Sequence, residues 1–390
     1  MRILQVHNRY LYAGGEDVIA EREKQLLISH GHEVVQFQKD NKDIETYSLF
    51  QKTSLLWKTA WSGIIYGQIR ANFRESRPDI CHVHNFFPLV SPSIYYACDE
   101  LKIPVVQTLH NYRLLCVNAY LFRNGHVCEE CIGRTTYHSL RYGCYHDSVI
   151  QSFAVANMIQ THRKRQTWNE KVDAYICLSE FSKGKFVDGG LPEQKLFLKP
   201  NFLEEDPGVS RDDGGYVLFA GRLEESKGIQ VLLEAAKQLP SLMFKVAGDG
   251  PLQKRTSSAL NVELLGRLAK QKLMQSLKKA SLLVSPSILY ENMPLIICEA
   301  FANGKPVIAS RLGAMAEMVT DGKTGLLFEA GNAQDLAAKI SWAVSHKDEM
   351  RAMGMNARKV FEQKYSAETN YTKLMAIYSQ AVENRRNRKK

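Results

Sequence analysis

The sequence predicts an α/β protein with two doubly wound parallel sheets in series, and three observations support this fold class. Twelve short runs rich in β-branched residues alternate with longer helical patterns from end to end of the chain. Most of these runs have a continuous apolar stretch, which is typical of parallel strands covered by helices on both faces. At 390 residues the chain is also too long for one ordinary core, so two domains of roughly 150–200 residues are expected.

Six of the predicted strands lie in each half of the chain. In the first half they are RILQVH, HEVVQF, DICHVH, PVVQTL, AYICLS and KLFLKP, and in the second half YVLFAG, MFKVAG, VELLG, LLVSPS, PVIAS and GLLF. After YVLFAG, the residues Ile229, Leu232, Leu233 and Ala236 are spaced i, i+3, i+4, i+7 and predict one buried helical stripe. In sheets of this kind ligands bind beyond the carboxyl ends of the strands. The loop that follows each strand is therefore a candidate site.

The domain boundary is predicted in the segment NFLEEDPGVSRDDGG, residues 201–215, which is rich in Gly, Asp and Glu and precedes a fresh strand. We therefore expect an N-terminal domain over residues 1–205 and a C-terminal domain over residues 206–365. Residues 366–390 are predicted to form a C-terminal helix that packs back on the body and ends in a basic tail. The apolar stripe of that helix consists of Tyr371, Leu374, Met375, Tyr378 and Val382.

Composition excludes several classes of protein. Apolar residues make up 45% of the chain and charged residues 24%, which is typical of a globular protein in water. No apolar run reaches the roughly 18 residues of a membrane-spanning helix, and the N-terminus lacks the pattern of a signal peptide. A cytoplasmic location is therefore predicted. The formal net charge of +10 is explained by an anionic partner, which could be nucleic acid, anionic lipid or a phosphorylated substrate, and equally well by a soluble basic protein with a basic tail.

Two loops after predicted strands carry groups suited to an anion. Gly14 and Gly15 follow the first strand, where glycines let backbone N–H groups approach an anion, although a plain turn explains them equally well. They do not form the G-x-G-x-x-G pattern of a nicotinamide site. In FAGRLEESKG, Arg222 and Lys227 lie near the start of a predicted helix, where two cations would make a pocket for a diphosphate. A pair of ordinary surface cations is the alternative.

Two glutamates, Glu291 and Glu299, lie at either side of an apolar segment after the strand LLVSPS. Pro294 suits the first turn of a helix, and Gly304 suits its end. Glu299 is then inside a helix that would otherwise be core, where a carboxylate needs a partner. The two hydroxyls of a ribose would satisfy it, and so would a buried salt bridge to another residue.

These motifs, in this order, resemble the family-four, group 1 glycosyltransferases, which have the GT-B fold. The resemblance covers nearly the whole chain. It rests on the glycine loop, GRLEESKG, AGDGP, GRLAKQKL, SPSILYENMPLIICEAFANGKPVIAS and DGKTGLLF. It implies two Rossmann-like domains that face each other across a cleft, with the acceptor held by the N-terminal domain and a nucleotide sugar held by the C-terminal domain.

The resemblance also implies roles for single residues. Arg222 and Lys227 would neutralise the donor diphosphate, and Glu299 would bind the ribose hydroxyls. Glu291 and His110 are the implied catalytic residues, both in contact with the donor sugar. The donor pocket would be completed by Gly248, Gly250, Arg267, Asn292, Met293, Pro294 and Leu295. The acceptor loop would comprise Gly14, Gly15 and Glu16.

The activity implied by the resemblance is retaining transfer of a sugar from a UDP- or GDP-linked donor. The acceptor would be a lipid-linked, polysaccharide or lipopolysaccharide intermediate of bacterial surface-glycan synthesis. No carboxylate is placed as a nucleophile, which favours front-face attack, and without an Asp-x-Asp motif no catalytic metal is expected. The alternatives are a nucleotide-sugar epimerase or sugar phosphorylase on the same fold and, from another class, a zinc-containing module that binds nucleic acid. No nucleic acid is expected for the glycosyltransferase.

An insert at about residues 112–165 contains four of the eight cysteines. Cys116, Cys128, Cys131 and Cys144 follow the pattern C-x11-C-x2-C-x12-C. In a reducing compartment such a cluster favours structural zinc over disulfides, with free packed thiols as the alternative.

The segment SLLWKTAWSGIIYGQIRANFR, residues 54–74, is aromatic and basic. Trp57, Trp61, Ile64, Ile65 and Ile69 are predicted to form one helical face. Such a face suits either an interfacial helix that meets anionic lipid or a helix packed into the N-terminal core. The first reading would place the protein on the inner face of the plasma membrane as a peripheral protein.

Overall fold

The computed structural model describes residues 1–11, 14–256 and 260–388, and the chain divides into two compact units. The first unit comprises Met1–Leu121, Glu129–Pro200 and Asn370–Lys390. The second unit comprises Phe122–Cys128 and Asn201–Thr369. Each unit contains a six-stranded parallel sheet, and all twelve predicted strands are confirmed.

The first sheet has the strand order β2-β1-β3-β4-β7-β8, with every neighbouring pair parallel. Its strands are β1 (Arg2–Arg9), β2 (Glu33–Asp40), β3 (Ile80–Asn85), β4 (Val105–Thr108), β7 (Ala174–Cys177) and β8 (Leu196–Leu198). The α-helices of this unit are α1 (Gly15–Ser29), α2 (Leu49–Lys58), α3 (Gly63–Phe73), α4 (Ser93–Glu100), α5 (Val149–Lys164), α6 (Thr167–Glu170) and α7 (Glu180–Asp188). Short 3-10 helices span Asn41–Thr46, Thr136–Tyr142 and Glu193–Lys195.

The second sheet has the order β11-β10-β9-β12-β13-β14, again parallel throughout. Its strands are β9 (Tyr216–Ala220), β10 (Met243–Ala247), β11 (Val262–Gly266), β12 (Leu282–Ser285), β13 (Val307–Ser310) and β14 (Gly325–Phe328). The helices that follow are α8 (Ile229–Lys237), α9 (Gln253–Thr256), α10 (Lys270–Lys279), α11 (Leu295–Ala302), α12 (Gly313–Met318), α13 (Ala333–Ser345), α14 (Lys347–Lys364) and α15 (Ala367–Asn387). A 3-10 helix spans Glu225–Lys227, and an antiparallel hairpin of β5 (Phe122–Arg123) and β6 (His126–Val127) belongs to this unit.

The predicted apolar stripe of α8 is buried at all four positions, from Ile229 to Ala236. Along α15, Leu374 and Tyr378 are buried, whereas the other stripe residues are not fully buried. The buried face is completed by Ile377 and Ala381, one position away from the predicted stripe. Lys389 and Lys390, the end of the predicted basic tail, lie outside the described residues.

The aromatic segment forms two helices, so the prediction of one continuous face is wrong. The α2 helix ends at Lys58, and the Ser62 side chain accepts a hydrogen bond from Ile65 N, which begins α3 separately. Ile65 is buried in the core of the first unit, whereas Trp57 remains exposed. Among the residues that the structure describes, no helix combines the length and apolarity that crossing a membrane requires.

Strand order reverses between β9 and β12 in the second sheet, because β10 and β11 lie to one side of β9. At such a point the loops after two neighbouring strands diverge and leave a crevice at the carboxyl ends. The loops after β9 and β12 carry Arg222, Lys227 and Glu291. In the first sheet the strand order reverses between β1 and β3.

Candidate active site

The loop after β9 is joined to the loop after β12 by backbone contacts. Ile288 N donates to Ser226 O at 2.9 Å. Gly228 has φ of 70°, and a Cβ atom at this position would lie 1.8 Å from the carbonyl oxygen of Pro286. Only glycine therefore permits both this backbone conformation and this close approach. The two loops are held in fixed relation beside the point where the strand order reverses.

The joined loops bring a cation and a carboxylate together. Lys227 Nζ lies 2.6 Å from Glu291 Oε1, and the Ser287 hydroxyl donates to the same oxygen at 2.7 Å. Glu291 has little exposure, at 13% of its side chain, whereas Lys227 keeps 27%. The sequence predicted both residues as site residues, and the structure places them in direct contact.

Arg222 is arranged differently from Lys227. Its guanidinium is 57% exposed and lies 3.2 Å from Glu224 Oε2. The other oxygen of Glu224 accepts a hydrogen bond from the Ser226 hydroxyl at 2.8 Å. Arg222 is thus an exposed cation in the same loop as Lys227, and it pairs with a carboxylate only two positions further along that loop.

The AGDGP loop after β10 packs on the loop after β9. Leu223 N donates to Asp249 O at 2.8 Å, and Leu252 N donates to Leu223 O at 2.9 Å. At Gly248 an added Cβ would lie 1.9 Å from Gly221 O, and at Gly250 it would lie 2.6 Å from Leu223 O. Both glycines therefore act by allowing one backbone to touch another.

The loop after β11 extends this arrangement. Gly248 N donates to the carbonyl oxygen of Gly266 at 2.8 Å, and Arg267, which follows, is exposed. The loops after β10 and β11, which carry the predicted donor residues Gly248, Gly250 and Arg267, therefore lie at the same edge of the second sheet as Lys227.

The α11 helix begins after Pro294, as the sequence predicts, and ends at Ala302. Gly304 follows with φ of 68°, and its N–H donates to Phe301 O. Glu299 is buried at 8% exposure within this apolar helix. Before the helix, Asn292 and Met293 are also buried, and Leu295 is the first helical residue.

In the first unit, the loop after β1 leads into α1 at Gly15, with Gly14 before it. Asp17 accepts a hydrogen bond from Gly14 N at 2.8 Å and contacts His7 Nε2 at 2.8 Å. Glu16 accepts from Asn111 Nδ2 at 3.2 Å. Burial of its carboxyl, followed by repulsion from Asp17, raises the pKa of Glu16 from 4.5 to about 8. Glu16 therefore keeps its proton at neutral pH.

His110 lies two residues beyond β4 and borders a small pocket in the first unit. Its Nε2 atom is 3.0 Å from His84 Nδ1, and the two rings stack with centroids 5.3 Å apart. Burial, followed by the rings of His84 and His7, holds the pKa of His110 well below its ordinary value. His110 is therefore an uncharged imidazole at neutral pH.

Two family models together cover most of the chain. The model described as Glycosyltransferase Family 4 matches residues 13–206, and the model described as Glycosyl transferases group 1 matches residues 203–360. The chain belongs to the group 1 glycosyltransferases. Its two parallel-sheet units agree with the GT-B fold of this family, and membership favours a transferase over the epimerase and phosphorylase alternatives.

Individual relatives agree with this assignment. An uncharacterised glycosyltransferase of Methanocaldococcus jannaschii is 30% identical over 53% of this chain and 60% of the relative. A phosphatidyl-myo-inositol mannosyltransferase of Mycobacterium leprae is 27% identical over 54% of this chain and 60% of the relative. The chain thus spans about 60% of the length of these curated relatives. The crystal structure of Anabaena HepE with UDP and glucose has a TM-score of 0.68 at 19% identity, covering 97% of this chain and 99% of that chain. That likeness shows the fold.

The structural zinc at Cys116, Cys128, Cys131 and Cys144 stays a prediction for this glycosyltransferase. Cys128 belongs to the second unit, and the other three belong to the first. In the described part of the chain, the only group of three potential ligand atoms within 4.8 Å of one another consists of Glu23, His82 and His84. The sulfur atoms of Cys116, Cys131 and Cys144 are therefore not all within this distance of one another.

Sequence reasoning missed a buried polar cluster in the first unit. Glu23 contacts His82 and His84, and its second oxygen lies 2.8 Å from Lys199 Nζ. One signal was present in the sequence. His82 and His84 are two positions apart in a predicted strand, so both point to the same face of the sheet. Two histidines on a buried strand face need polar partners.

Replacing Glu16 by glutamine is expected to stabilise the protein increasingly as pH rises. The folded-state pKa of Glu16 is raised to about 8 from 4.5. An acid whose pKa is higher in the folded protein stabilises the fold fully when the pH is below the pKa of the unfolded chain. This stabilisation is lost as the pH rises from about 4.5 to about 8. A glutamine side chain does not titrate, so the difference in melting temperature between Glu16→Gln and the parent should grow over this range and then level off.

The control for this experiment is Glu21→Gln in the same helix. The carboxylate of Glu21 pairs with Lys24 at 2.6 Å. Although burial opposes the shift, hydrogen bonds from Lys24 and Gln25 lower the pKa of Glu21. The difference in melting temperature between Glu21→Gln and the parent should be constant above about pH 6, since Glu21 is then ionised in both the folded and the unfolded parent. Melting curves at pH 5, 6, 7, 8 and 9 would test both. If the difference in melting temperature between Glu16→Gln and the parent did not change with pH, the proposed burial of this carboxyl would be contradicted.

Proposed function

We propose that this glycosyltransferase moves a sugar, with retention of anomeric configuration, from a UDP- or GDP-linked donor to a lipid-linked, polysaccharide or lipopolysaccharide acceptor in bacterial surface-glycan synthesis. The observation that carries the proposal is the contact between Lys227 and Glu291 where the second sheet reverses its strand order. This place suits a nucleotide in a doubly wound sheet. The UDP found with HepE and the phospholipid named for the mycobacterial relative support the donor and acceptor classes.

In the proposed reaction, Arg222 and Lys227 neutralise the donor diphosphate. Cleavage of the bond between sugar and phosphate leaves additional negative charge on the departing group, and fixed cations stabilise this charge most in the transition state. The N–H groups at the start of α11, from Leu295 onward, add a positive dipole end. Lys227 is preorganised because Glu291 holds its ammonium before any donor arrives.

Glu291 and Glu299 are proposed to hold the two sugars of the donor. Glu291 would accept hydrogen bonds from hydroxyls of the transferred sugar, since Ser287 and Lys227 fix its orientation. Glu299 would accept from the ribose hydroxyls. The remaining donor contacts are assigned to Gly248, Gly250, Arg267, Asn292, Met293, Pro294 and Leu295.

On the acceptor side, Gly14, Gly15 and Glu16 are proposed to contact the acceptor, and His110 is proposed as a second catalytic residue. The proposal places no carboxylate as a nucleophile. The departing phosphate instead takes the proton of the acceptor hydroxyl as that oxygen attacks from the same face of the sugar. The bond to phosphate breaks, the new glycosidic bond forms, and the proton ends on the nucleoside diphosphate.

The proposed function is tested by ligand binding followed by product analysis. We expect UDP or GDP to raise the melting temperature of the protein, with ADP as the comparison, and the matching nucleotide sugar to be consumed when a lipid or glycan acceptor is added. Proton NMR of the product should show the anomeric configuration of the donor. No stabilisation by any nucleoside diphosphate would overturn the donor assignment, and an inverted product would overturn the front-face mechanism.

We also propose that α2 brings the enzyme to an anionic membrane surface. Its first two residues, Leu49 and Phe50, are 83% and 82% exposed, and Trp57 is 66% exposed at its other end. Lys52 and Lys58 lie on the same helix. Large exposed apolar side chains with interspersed lysines are typical of a helix that inserts into the headgroup region. This would make the enzyme a peripheral protein on the inner face of the plasma membrane.

Replacing Phe50 by serine is expected to weaken binding to vesicles that contain phosphatidylglycerol by about 10-fold to 100-fold, because burying one large aromatic side chain stabilises by about 1.5–3 kcal/mol. Flotation at low and high salt measures this partitioning, and salt should weaken the contribution of the lysines. The matched control is Met243→Ser, an exposed apolar residue of the second unit at 43% exposure. Equal partitioning of the parent and Phe50→Ser would contradict the proposed surface.

A further inference from the structure

We propose that Arg113 binds a phosphate group of the acceptor, in a site formed by the loops after β1 and β4 of the first unit. The acceptor is then a sugar attached directly to phosphate, as at the start of a lipid-linked chain. This inference deepens the proposed function and rests on it, because it concerns the acceptor of that transfer. It adds a binding residue that the sequence motifs did not single out.

Hydrogen bonds join the loop after β4 to the loop after β1. The backbone N–H of Arg113 donates to Asn111 Oδ1 at 3.0 Å. Asn111 Nδ2 in turn donates to the Tyr10 hydroxyl at 2.9 Å and to Glu16 Oε2 at 3.2 Å. Arg113, Asn111 and His110 border the same small pocket. The site therefore lies beside the point where the strand order of the first sheet reverses, which is where ligands bind in sheets of this kind.

The guanidinium of Arg113 is half-buried and is held in place from several sides. Its Nη1 donates to the carbonyl oxygen of Val117. The guanidinium carbon lies over the Phe87 ring at 4.2 Å from the centroid, and over the Tyr145 ring at 5.1 Å, and such cation–π contacts stabilise its position. Among the residues that the structure describes, Nε and Nη2 have no hydrogen-bond acceptor. The edge formed by these two nitrogens is therefore available to a ligand.

In the part of the chain that the structure describes, Arg113 forms no ion pair with a carboxylate. Four titratable side chains interact with it electrostatically, namely those of Tyr10, Glu16, Cys116 and Tyr145. Burial raises the pKa of all four, that of Glu16 to about 8, although Arg113 opposes the shift. All four are therefore uncharged at neutral pH, and none of them neutralises the guanidinium. A half-buried cation in this state favours an anionic ligand.

The shape of the available edge suits a phosphate. A guanidinium presents two parallel N–H groups along such an edge, and they bind two oxygens of one phosphate or carboxylate. Of the acceptor classes proposed above, the lipid-linked class carries a phosphate between the lipid and the sugar. Arg113 lies three positions after His110, and three residues span at most about 11 Å. The phosphate would therefore lie close to the hydroxyl that attacks, as it does when the accepting sugar is itself attached to phosphate.

A purely structural role is the other interpretation of Arg113, and Arg163 is an example of such a role. Arg163 is also half-buried in the first unit. Its Nη1 donates to Arg134 O at 2.7 Å, and its Nη2 donates to Leu114 O at 3.1 Å. Both terminal nitrogens of Arg163 are thus bound to backbone carbonyl groups, whereas Arg113 uses only Nη1 in this way. Arg163 is therefore the matched control for Arg113.

Nitrogen NMR of the full chain with labelled arginine tests the phosphate site independently of any sugar transfer. The probe is methyl phosphate, and the variants Arg113→Lys and Arg163→Gln assign the two Nε–H signals. We expect methyl phosphate to shift the Arg113 signal in a saturable way and to leave the Arg163 signal in place, with acetate binding more weakly at the same ionic strength. No saturable shift with methyl phosphate would overturn the inference even if the proposed activity is confirmed. An equal or tighter response to acetate would overturn the assignment of the ligand as phosphate.

The kinetic arm compares Arg113→Gln with Arg163→Gln on the acceptor that supports transfer. Arg113→Gln is expected to raise the acceptor KM by about 10-fold to 100-fold, the effect of losing hydrogen bonds to a charged group, and to leave the donor KM unchanged. Arg163→Gln should leave both KM values unchanged. Both variants should lose similar thermal stability, since each loses a hydrogen bond to a backbone carbonyl group. Equal increases of acceptor KM in the two variants would indicate a structural role and overturn the inference.

Vesicle flotation separates the phosphate of an acceptor from the phosphate of membrane lipids. Arg113→Gln should float with phosphatidylglycerol vesicles as much as the parent does, because the proposed ligand is the acceptor. Weaker flotation without a change in acceptor KM would assign the bound phosphate to a lipid headgroup and overturn the acceptor assignment. Failure of the parent to transfer any sugar would instead count against the proposed function, and the NMR titration would still decide whether Arg113 binds phosphate.

Discussion

Lys227→Ala is expected to lower kcat/KM for the nucleotide-sugar donor by about 100-fold to 1000-fold, the effect of removing one preorganised charge stabiliser from an active site. Lys227 is held at 2.6 Å by Glu291, which precedes the start of α11. Its ammonium would meet the diphosphate as negative charge develops on the leaving group. Most of the loss should therefore appear in kcat, with a smaller loss of affinity for the nucleoside diphosphate. Steady-state kinetics and calorimetric titration measure these two effects separately.

Lys245→Ala is the matched control for this variant. Lys245 is also in the second unit, is 28% exposed against 27% for Lys227, and pairs with Glu263 at 2.9 Å. It lies on β10 rather than in a loop after a strand. Removing it costs one exposed ion pair, about 0–1 kcal/mol of stability, and should leave the kinetics unchanged. Equal rates for Lys227→Ala and Lys245→Ala would refute the donor site proposed here.

The sequence predicted the sheets well because buried parallel strands leave a local signal. Runs such as YVLFAG and PVIAS are apolar at nearly every position and are followed by glycine or polar loops. The start and end of α11 were also predictable, because Pro294 and Gly304 act through their own backbone preferences. Predictions that depend on one residue and its immediate neighbours were therefore reliable.

Contacts between distant residues could not be predicted in the same way. Lys227 and Glu291 are 64 positions apart and meet only because strand order brings β12 beside β9. The same holds for Glu23 and Lys199, which are 176 positions apart. The two-helix break at Ser62 was missed because its capping hydrogen bond competes with a continuous apolar pattern.

Gly228→Ala is expected to destabilise the second unit by about 2–5 kcal/mol and to abolish donor binding. A left-handed backbone costs alanine about 1–2 kcal/mol. At this position the new Cβ would also lie 1.8 Å from Pro286 O, so the two loops must separate, which adds a cost of about 1–3 kcal/mol. Their separation would break the hydrogen bond from Ile288 N to Ser226 O and move Lys227 away from Glu291.

Gly215→Ala is the control that separates the cost of the left-handed backbone from the cost of the close contact with Pro286 O. Gly215 has φ of 71°, almost the same as the 70° of Gly228, but an added Cβ would meet no atom within 4 Å. Gly215→Ala should therefore be destabilised only by the backbone conformation, and it should bind the nucleoside diphosphate like the parent. Urea unfolding and calorimetric titration of both variants measure the difference. If Gly228→Ala matched Gly215→Ala in stability and in nucleotide affinity, contact between the two loops would not shape the donor site, because the same backbone strain is present in each.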